Sequence, residues 1–176
     1  MIIVGIDPAL AVSGYGVIQV NKNSLALIEA GIIKTQAKEA LPLRLDKIYR
    51  GVLKLISDTK ADCLVLEKIY SHYKHPATAC ILGQARGVIC LAAFTAHLPF
   101  FEYSATRIKK AIVGKGLASK AQVQRMVTHT LGLKTSVSYM DVTDALALAI
   151  AHSYIVKVNP APRAKERGFT GSGMKL

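Results

Sequence analysis

Four acidic side chains are placed where they could share one site. Asp7 ends the apolar segment MIIVGID, and Glu67 ends the apolar segment ADCLVLE. Asp141 and Asp144 are three residues apart at the head of a helical pattern, so their Cβ atoms would lie about 5–6 Å apart on one face. Converging carboxylates repel one another, which raises some of their pKa values. The arrangement becomes favourable when divalent cations lie between them, because Mg²⁺ prefers carboxylate and water oxygens.

Carboxylates that hold two such cations about 3.5–4 Å apart can promote phosphodiester hydrolysis. In that chemistry one ion activates a water molecule, and the other stabilises the leaving oxygen of an in-line displacement. The pattern of acids therefore indicates a metal-dependent nuclease.

Each acid also has a simpler interpretation when it is taken alone. Asp7 belongs to an Asp-Pro pair and could begin a turn. Glu67 could form a surface ion pair with Lys68. Asp141 could cap its helix, and the helix dipole favours Asp144 in the first turn. The four acids together favour a shared site, but spacing alone leaves these alternatives open.

The charge of the chain indicates a polyanionic partner. Its 176 residues include 23 Lys and Arg against 11 Asp and Glu, a formal net charge of +12. Between Lys68 and Met140 there is one acid, Glu102, against ten basic residues, at positions 68, 74, 86, 107, 109, 110, 115, 120, 125 and 134. A surface that holds a polyanion should avoid acids unless those acids hold metal. Nucleic acid is the expected partner, since no basic amphipathic membrane anchor stands out.

The composition, 51% hydrophobic and 19% charged, favours one domain with a core of its own. Residues 1–156 are predicted to form the catalytic domain, and the basic, Pro- and Gly-rich residues 157–176 a flexible tail. The apolar runs fall far short of the roughly 18 residues that a membrane span needs, and the N-terminus does not resemble a signal peptide. A cytoplasmic protein with no membrane contact is therefore expected. The cysteines, Cys63, Cys80 and Cys90, are expected to be reduced and packed in the core.

Hydrophobic periodicity predicts the element order β-β-β-α-β-α-β-α-α-α. A meander of three strands, with a first loop from Pro8 to Ser13, would be followed by crossover units. The expected fold class is therefore α/β, with a mixed five-stranded sheet flanked by helices. Sites in such sheets lie beyond the carboxyl ends of strands, where Asp7 and Glu67 fall. If the first and fourth strands are neighbours, these two carboxylates lie side by side.

The segment PATACILGQARGVICLAAFTAHL is apolar almost all round, which predicts a buried helix. Its small residues would allow another helix to approach closely, either in this chain or in a second copy.

Five segments of the chain, taken in order, resemble the RuvC family of bacterial Holliday-junction resolvases. They run from about residue 2 to residue 155 and read GIDP…SGYGVI, LEKIY, LGQARGV, FEYSATRIKKAIVGKGLASKAQVQRMV and DVTDALALAIAH. The resemblance implies a ribonuclease H-like fold, a homodimer and paired nicking of four-way DNA junctions. It also implies two Mg²⁺ ions per active site, with Mn²⁺ as an alternative ion, and a branch-migration helicase complex as a partner. Helix 77–96 is the expected dimer contact.

The same resemblance implies roles for particular residues. The family's metal-binding carboxylates and its lysines near the scissile phosphate fall on Asp7, Glu67, Asp141, Asp144, Lys109 and Lys120. Its aromatic that stacks on unpaired bases falls on Tyr70; such stacking is worth roughly 1–3 kcal/mol per base. A lysine beside the phosphate would offset charge that develops in the transition state. Without the resemblance, Tyr70 would be an ordinary tyrosine and each lysine a solvated helix charge.

Weaker candidates surround these residues. Tyr73 is expected to share the stacking role, or only to fill the loop. Contacts to the DNA backbone, which position DNA without reading its sequence, are expected from Lys74, Arg86, Lys110, Lys115 and Arg125.

One segment departs from the family pattern. Residues 9–11 read Ala-Leu-Ala, where the family has a small polar pair such as Gly-Ser after the Asp-Pro pair. The departure could change loop flexibility or the approach of phosphate. It keeps open a non-catalytic junction-binding protein, beside a ribonuclease H-like nuclease that acts on RNA–DNA hybrids. An actin-like sugar kinase is a weaker alternative, since its two large lobes need more than 176 residues.

Overall fold

The structure, a computed structural model, describes residues 1–22, 24–68, 76–133 and 140–158. Its elements follow the predicted order. They are β1 (Ile2–Asp7), β2 (Val12–Val20), β3 (Leu25–Lys34), α1 (Leu41–Thr59), β4 (Cys63–Glu67), α2 (Pro76–Thr95), β5 (Phe100–Tyr103), α3 (Ala105–Val113), α4 (Lys120–Thr130) and α5 (Met140–Val158).

The five strands form one mixed sheet in the order β3-β2-β1-β4-β5. β1 to β3 form an antiparallel meander, whereas β4 pairs in parallel with both β1 and β5. Ile6 of β1 lies opposite Leu66 of β4, so Asp7 and Glu67 follow at neighbouring strand ends. The prediction that strands one and four are neighbours is confirmed.

One predicted boundary is wrong, and a second stays a prediction. β2 begins at Val12, so the loop after β1 ends earlier than Ser13; the Thr35 N–H donates to the Ala11 carbonyl at 3.0 Å where β2 begins beside β3. The domain boundary expected after residue 156 falls inside α5, which runs to Val158. Residues 159–176, which hold most of the expected tail, lie outside the described residues.

The helices form two layers, one on each face of the sheet. α1 and α2 pack on one face, and α3, α4 and α5 pack on the other. Successive side chains of a strand point to opposite faces. In β1, Ile3 belongs to the core under α5, whereas Val4 belongs to the core under α1. By this alternation Asp7 shares the face of Ile3, and Glu67 shares the face of Val65, both on the side of α5.

α5 packs directly on the backbone of β1 and β2 because glycines there leave room for it. A Cβ atom on Gly5 would lie 2.0 Å from the Ala145 carbonyl oxygen, which is far inside contact distance. A Cβ on Gly14 would lie 2.3 Å from the carbonyl carbon and oxygen of Asp141. Gly14 also pairs with Asp7 in the sheet register. The glycine therefore brings the start of α5 against the strand that ends in Asp7.

α2 is buried on one side only. Its inner side includes Ala85 and Ile89, which are fully buried, whereas Ile81, Leu91 and Phe94 are 44%, 53% and 65% exposed. The prediction of a wholly buried helix is therefore wrong for the outer side. An apolar sequence cannot by itself show how much of a helix one core can cover.

The segment Thr78–Thr95 of α2 is also long and apolar enough, by length and composition alone, to cross a membrane, with a mean hydropathy of 1.4. Gln84 and Arg86 interrupt this segment, so its uninterrupted apolar runs are still shorter than a membrane span needs. The finding is weak support for a membrane span, because core helices of folded domains pass the same test.

The three cysteines differ in how deeply they are buried. Cys63 is buried as predicted, but Cys80 is exposed and Cys90 only partly buried, and all three thiols are free.

His152 is 2% exposed, and its Nδ1 lies 2.8 Å from the Tyr103 hydroxyl. Burial lowers the pKa of His152 to about 4, so the ring is neutral near pH 7 and belongs to the core.

Candidate active site

Asp7 is the most strongly perturbed carboxylate described. Its pKa is raised from 3.8 to about 7. Burial is the largest cause, and the negative charges of Asp144, Asp141 and Glu67 add to it. Lys120 acts in the opposite direction. The structure thus brings the other three sequence-predicted acids within electrostatic reach of Asp7.

Glu67 stands at the open end of β4, where its side chain is exposed. Its pKa is raised, first by partial burial and then by the charge of Asp144. Lys120, Lys109 and Arg86 oppose this rise. Both lysines predicted to lie near the scissile phosphate are therefore close enough to act on this carboxylate.

Lys120 makes a direct contact with the acids. Its ammonium group donates to the Asp144 carboxylate at 3.1 Å, and this hydrogen bond raises the pKa of Lys120. Lys120 is the first residue of α4, where a capping box between Ser119 and Gln122 orders the helix start. Packing of Val123 against the core then holds α4 in place.

Lys109 lies on α3, an amphipathic helix whose N-cap is Ser104. Ile108 and Ile112 bury one side of α3 and leave Lys109 half-exposed on another. Lys110 is exposed near the end of the same helix.

The other predicted DNA-contact residues divide into two groups. Lys115 and Arg125 are exposed, in the loop before α4 and on α4 respectively. Tyr70, Tyr73 and Lys74 lie outside the described residues.

Arg86 has a different position from the one predicted. It is 8% exposed, and its Nη1 donates to the Glu67 carbonyl at 2.5 Å. Its Nη2 forms an ion pair with the Glu102 carboxylate. A DNA-backbone contact of Arg86 stays a prediction, and its guanidinium group is largely buried and bonded to two strands of the sheet.

The unusual loop after β1 is held in place by neighbouring hydroxyl groups. Ser13 accepts from the Ala9 N–H at 3.1 Å and donates to the Ala9 carbonyl at 2.6 Å. The Thr35 hydroxyl donates to the Leu10 carbonyl at 2.5 Å, and the Leu10 side chain joins the core. The Ala-Leu-Ala sequence thus has a buried anchor and a hydroxyl partner supplied from β2.

The acids offer oxygen donors, the ligand type suited to Mg²⁺ or Mn²⁺. Bringing a divalent cation among them would also relieve the repulsion that raises the pKa of Asp7. Within the described ranges, no three Asp, Glu, His or Cys side chains already stand where they could hold one ion together. The chemistry of the donors therefore fits a divalent metal, although the side chains are not arranged as a closed shell.

Comparison with known proteins gives the family of this chain. A family model described as crossover junction endodeoxyribonuclease RuvC matches residues 3–152. The chain belongs to the RuvC family. The RuvC protein of Rhodopirellula baltica is 41% identical over 162 residues, which cover 92% of this chain and 90% of that protein. That of Pectobacterium atrosepticum is 43% identical over 168 residues, or 90% of this chain and 97% of that protein.

Solved structures confirm the ribonuclease H-like fold class. Thermus thermophilus RuvC in complex with a Holliday junction substrate has a TM-score of 0.85 at 30% identity, over 90% of this chain and 96% of that chain. The yeast mitochondrial Holliday junction resolvase Ydc2 shares the fold alone, with a TM-score of 0.60 at 12% identity over 86% of this chain and 77% of that chain. RuvC nucleases are metal-dependent endonucleases, in keeping with the acids described above.

Sequence reasoning missed two features that build the site. Gly14 was given only as part of the segment SGYGVI that resembles the family, yet it gives Asp141 its place against β2. A glycine that pairs with Asp7 in two neighbouring strands is the pattern that could have indicated this close approach. No local signal marked the buried position of Arg86, since its partners belong to two other elements.

Proposed function

We propose that this chain resolves four-way DNA junctions by metal-dependent, paired and symmetric nicking. The observation that carries the proposal is the convergence of Asp7, Glu67, Asp141 and Asp144, with Lys120 bonded to one of them. The solved RuvC relative from T. thermophilus is bound to a Holliday junction substrate, which supports the same substrate here. Resolution of such junctions belongs to homologous recombination and DNA repair.

The proposed reaction is hydrolysis of a phosphodiester. The oxygen of a water molecule forms a bond to phosphorus, and the bond from phosphorus to the 3′ oxygen breaks. The products are a 3′ hydroxyl and a 5′ phosphate, which a ligase can rejoin. Two Mg²⁺ ions, or Mn²⁺ in their place, would supply stabilisation of the attacking water and of the leaving oxygen.

The chain's own residues have separate roles in this scheme. The four acids would hold the metal ions, and Lys109 and Lys120 would offset negative charge on the reacting phosphate. Tyr70, assisted by Tyr73, would stack on bases opened at the crossover. Lys74, Lys110, Lys115 and Arg125 would contact the backbone and so position the junction.

The test is cleavage of end-labelled substrates with Mg²⁺ and without it. We expect paired nicks at symmetric positions in a synthetic four-way junction, and little cutting of a linear duplex of the same sequence. Binding without nicking, across several junction sequences and with Mn²⁺, would instead favour the junction-binding alternative. Preferential cutting of an RNA–DNA hybrid would favour the other ribonuclease H-like activity.

Lys120→Met is expected to slow cleavage of bound junction about 10²–10³-fold, the loss typical of removing one preorganised transition-state donor. Lys115→Met is the matched control, since it removes a lysine that is proposed only to position DNA. It should weaken junction binding and reduce the salt dependence of binding, with little change in the single-turnover rate at saturation. Equal effects of the two substitutions on that rate would contradict the role of Lys120.

We also propose a homodimer formed through the outer side of α2. Among the residues that the structure describes, nothing lies within 4 Å of the positions that Cβ atoms on Gly83 and Gly87 would occupy, so a second helix could approach closely. The exposed Ile81 and Leu91 would supply apolar contact. A two-fold dimer would also match two symmetric nicks in one junction.

Leu91→Glu is expected to shift the protein from dimer to monomer in light scattering after gel filtration. It should also replace paired nicks by rare single nicks, since the two sites would no longer act on one junction. Leu43→Glu, at an exposed position of α1, is the control and should leave the mass unchanged. A dimer that survives Leu91→Glu would show that the contact lies elsewhere.

Three further assignments rest on membership of the family and on composition. A cytoplasmic location and a branch-migration helicase complex that delivers the junction are both proposed. Residues 157–176 are proposed to extend from the catalytic domain as a basic tail, beginning in the last turn of α5.

A further inference from the structure

We propose that Arg86 is a positioning residue that holds the end of β4, and with it the Glu67 carboxylate, in the geometry needed for metal binding. The inference rests on the proposed nuclease function and assigns a role that differs from DNA contact. It follows from the contacts that Arg86 makes with two neighbouring strands.

Arg86 joins three elements at the edge of the site. From the middle of α2, one nitrogen of its guanidinium group donates to the Glu67 carbonyl at the last residue of β4. Another nitrogen pairs with the carboxylate of Glu102 on β5. Glu102 lies opposite Leu66 in the parallel register, so the two contacts fall at adjacent positions of adjacent strands.

This arrangement suits a residue that fixes geometry. A buried charge is costly to desolvate, and a buried ion pair often stabilises a protein no more than apolar packing of the same volume would. The planar fork of Arg can bond two partners in fixed directions, which the single ammonium group of Lys does not reproduce. The contacts of Arg86 are therefore better explained by the placement of Glu67 than by stability alone.

The placement of Glu67 matters because it ends a strand. Its side chain faces the α5 layer only while the strand keeps its register and direction through the last residue. The N–H of the same peptide group belongs to Lys68 and donates to the Tyr103 carbonyl at 2.8 Å. Arg86 holds the peptide carbonyl of Glu67 itself, just before this hydrogen bond.

The experiment compares Arg86→Met, Arg86→Lys and Glu102→Gln with an exposed control, Arg50→Met. Arg50 lies on α1 and pairs only with Asp46 among the ion pairs described. Three quantities are measured for each protein: junction affinity in EDTA, the rise of Tm on titration with Mn²⁺, and the Mg²⁺ concentration for half-maximal cleavage.

Arg86→Met is expected to raise the metal concentration needed for half of the Tm rise and for half-maximal cleavage about 10–100-fold, as loss of a ligand's supporting contact does. Junction affinity in EDTA should change less than twofold. Arg86→Lys and Glu102→Gln should give smaller changes in the same direction, and Arg50→Met none.

Other results would overturn the inference. Weaker junction binding in EDTA, with a smaller salt dependence, would restore Arg86 as a DNA contact. A lower Tm with an unchanged metal requirement would make its role purely one of stability. If Arg86→Met does not fold, Arg86→Lys and Glu102→Gln decide the question, because an unchanged metal requirement in both contradicts positioning. The Mn²⁺-induced rise of Tm needs no cleavage, so it tests Arg86 even if the wild-type protein proves not to cut junctions.

Discussion

Asp7→Asn is expected to lower the rate of junction cleavage at least about 10³-fold while making the metal-free protein more stable. The rate falls because the substitution removes a metal ligand. A 10³-fold loss corresponds to about 4 kcal/mol of lost transition-state stabilisation. Binding of the junction in EDTA should persist, since the substitution removes a negative charge from a DNA-binding surface.

The gain in stability follows from the raised pKa of Asp7. The carboxyl group has a pKa of about 7 in the folded protein, against its ordinary value of 3.8 in the unfolded chain. Well below pH 3.8 the group is protonated in both states, so folding carries no penalty from its charge. As the pH rises to about 7, the unfolded chain ionises first, and the wild-type protein loses up to about 4 kcal/mol that the neutral Asn variant keeps.

Urea unfolding in EDTA between pH 4 and pH 8 measures this difference. The free energies of unfolding of the two proteins should diverge across that range, with the Asn variant the more stable. Addition of Mg²⁺ at pH 8 should stabilise the wild-type protein and leave the variant nearly unchanged. Equal stability at all pH values, or full cleavage by the variant, would show that Asp7 is not at the charged centre of the site.

Gly5→Ala is expected to destabilise the domain by about 3 kcal/mol or more, at the upper end of the range for overpacked interiors. The added Cβ would lie 2.0 Å from the Ala145 carbonyl oxygen and 3.0 Å from the Ala149 nitrogen, so α5 would have to move away from the sheet. Because backbone atoms of a packed helix make this contact, no change of rotamer can relieve it.

Gly51→Ala is the matched control for that substitution. Its Cβ would meet only the side chain of Ile33, with Cδ1 at 3.1 Å, and that side chain can shift by a few tenths of an ångström. Thermal unfolding should show a Tm lower by about 6–12 °C for the Gly5 variant, and a change of only a few degrees for the control. A Tm for Gly5→Ala close to that of the wild-type protein would mean that β1 and α5 lie farther apart than described here.

The parts of the fold that the sequence predicts well are those that follow from local pattern and strand geometry. The order of the ten elements follows from hydrophobic periodicity and turn residues. The adjacency of Asp7 and Glu67 follows from parallel strands ending at one edge. Asp141 and Asp144 needed only helical spacing to share a face.

The missed features depend on contacts between distant segments. Arg86 resembles any other basic residue in the printed sequence, and only its pairing with Glu102 places it in the interior. The exposed side of α2 has the same kinds of apolar residues as the buried side. Which side is buried depends on what packs against the helix, and the sequence of the helix does not show that. Cys80 is exposed for the same reason.

The close contact of α5 with β1 and β2 also affects how a mutational scan of this protein would be interpreted. Substitutions at Gly5, Gly14 and Gly16 would lower activity together with stability, because each added side chain would collide with α5. Activity alone would then class three packing positions as catalytic. The Tm of each variant separates the two groups, since removing a buried charge keeps or raises the Tm whereas displacing a core helix lowers it.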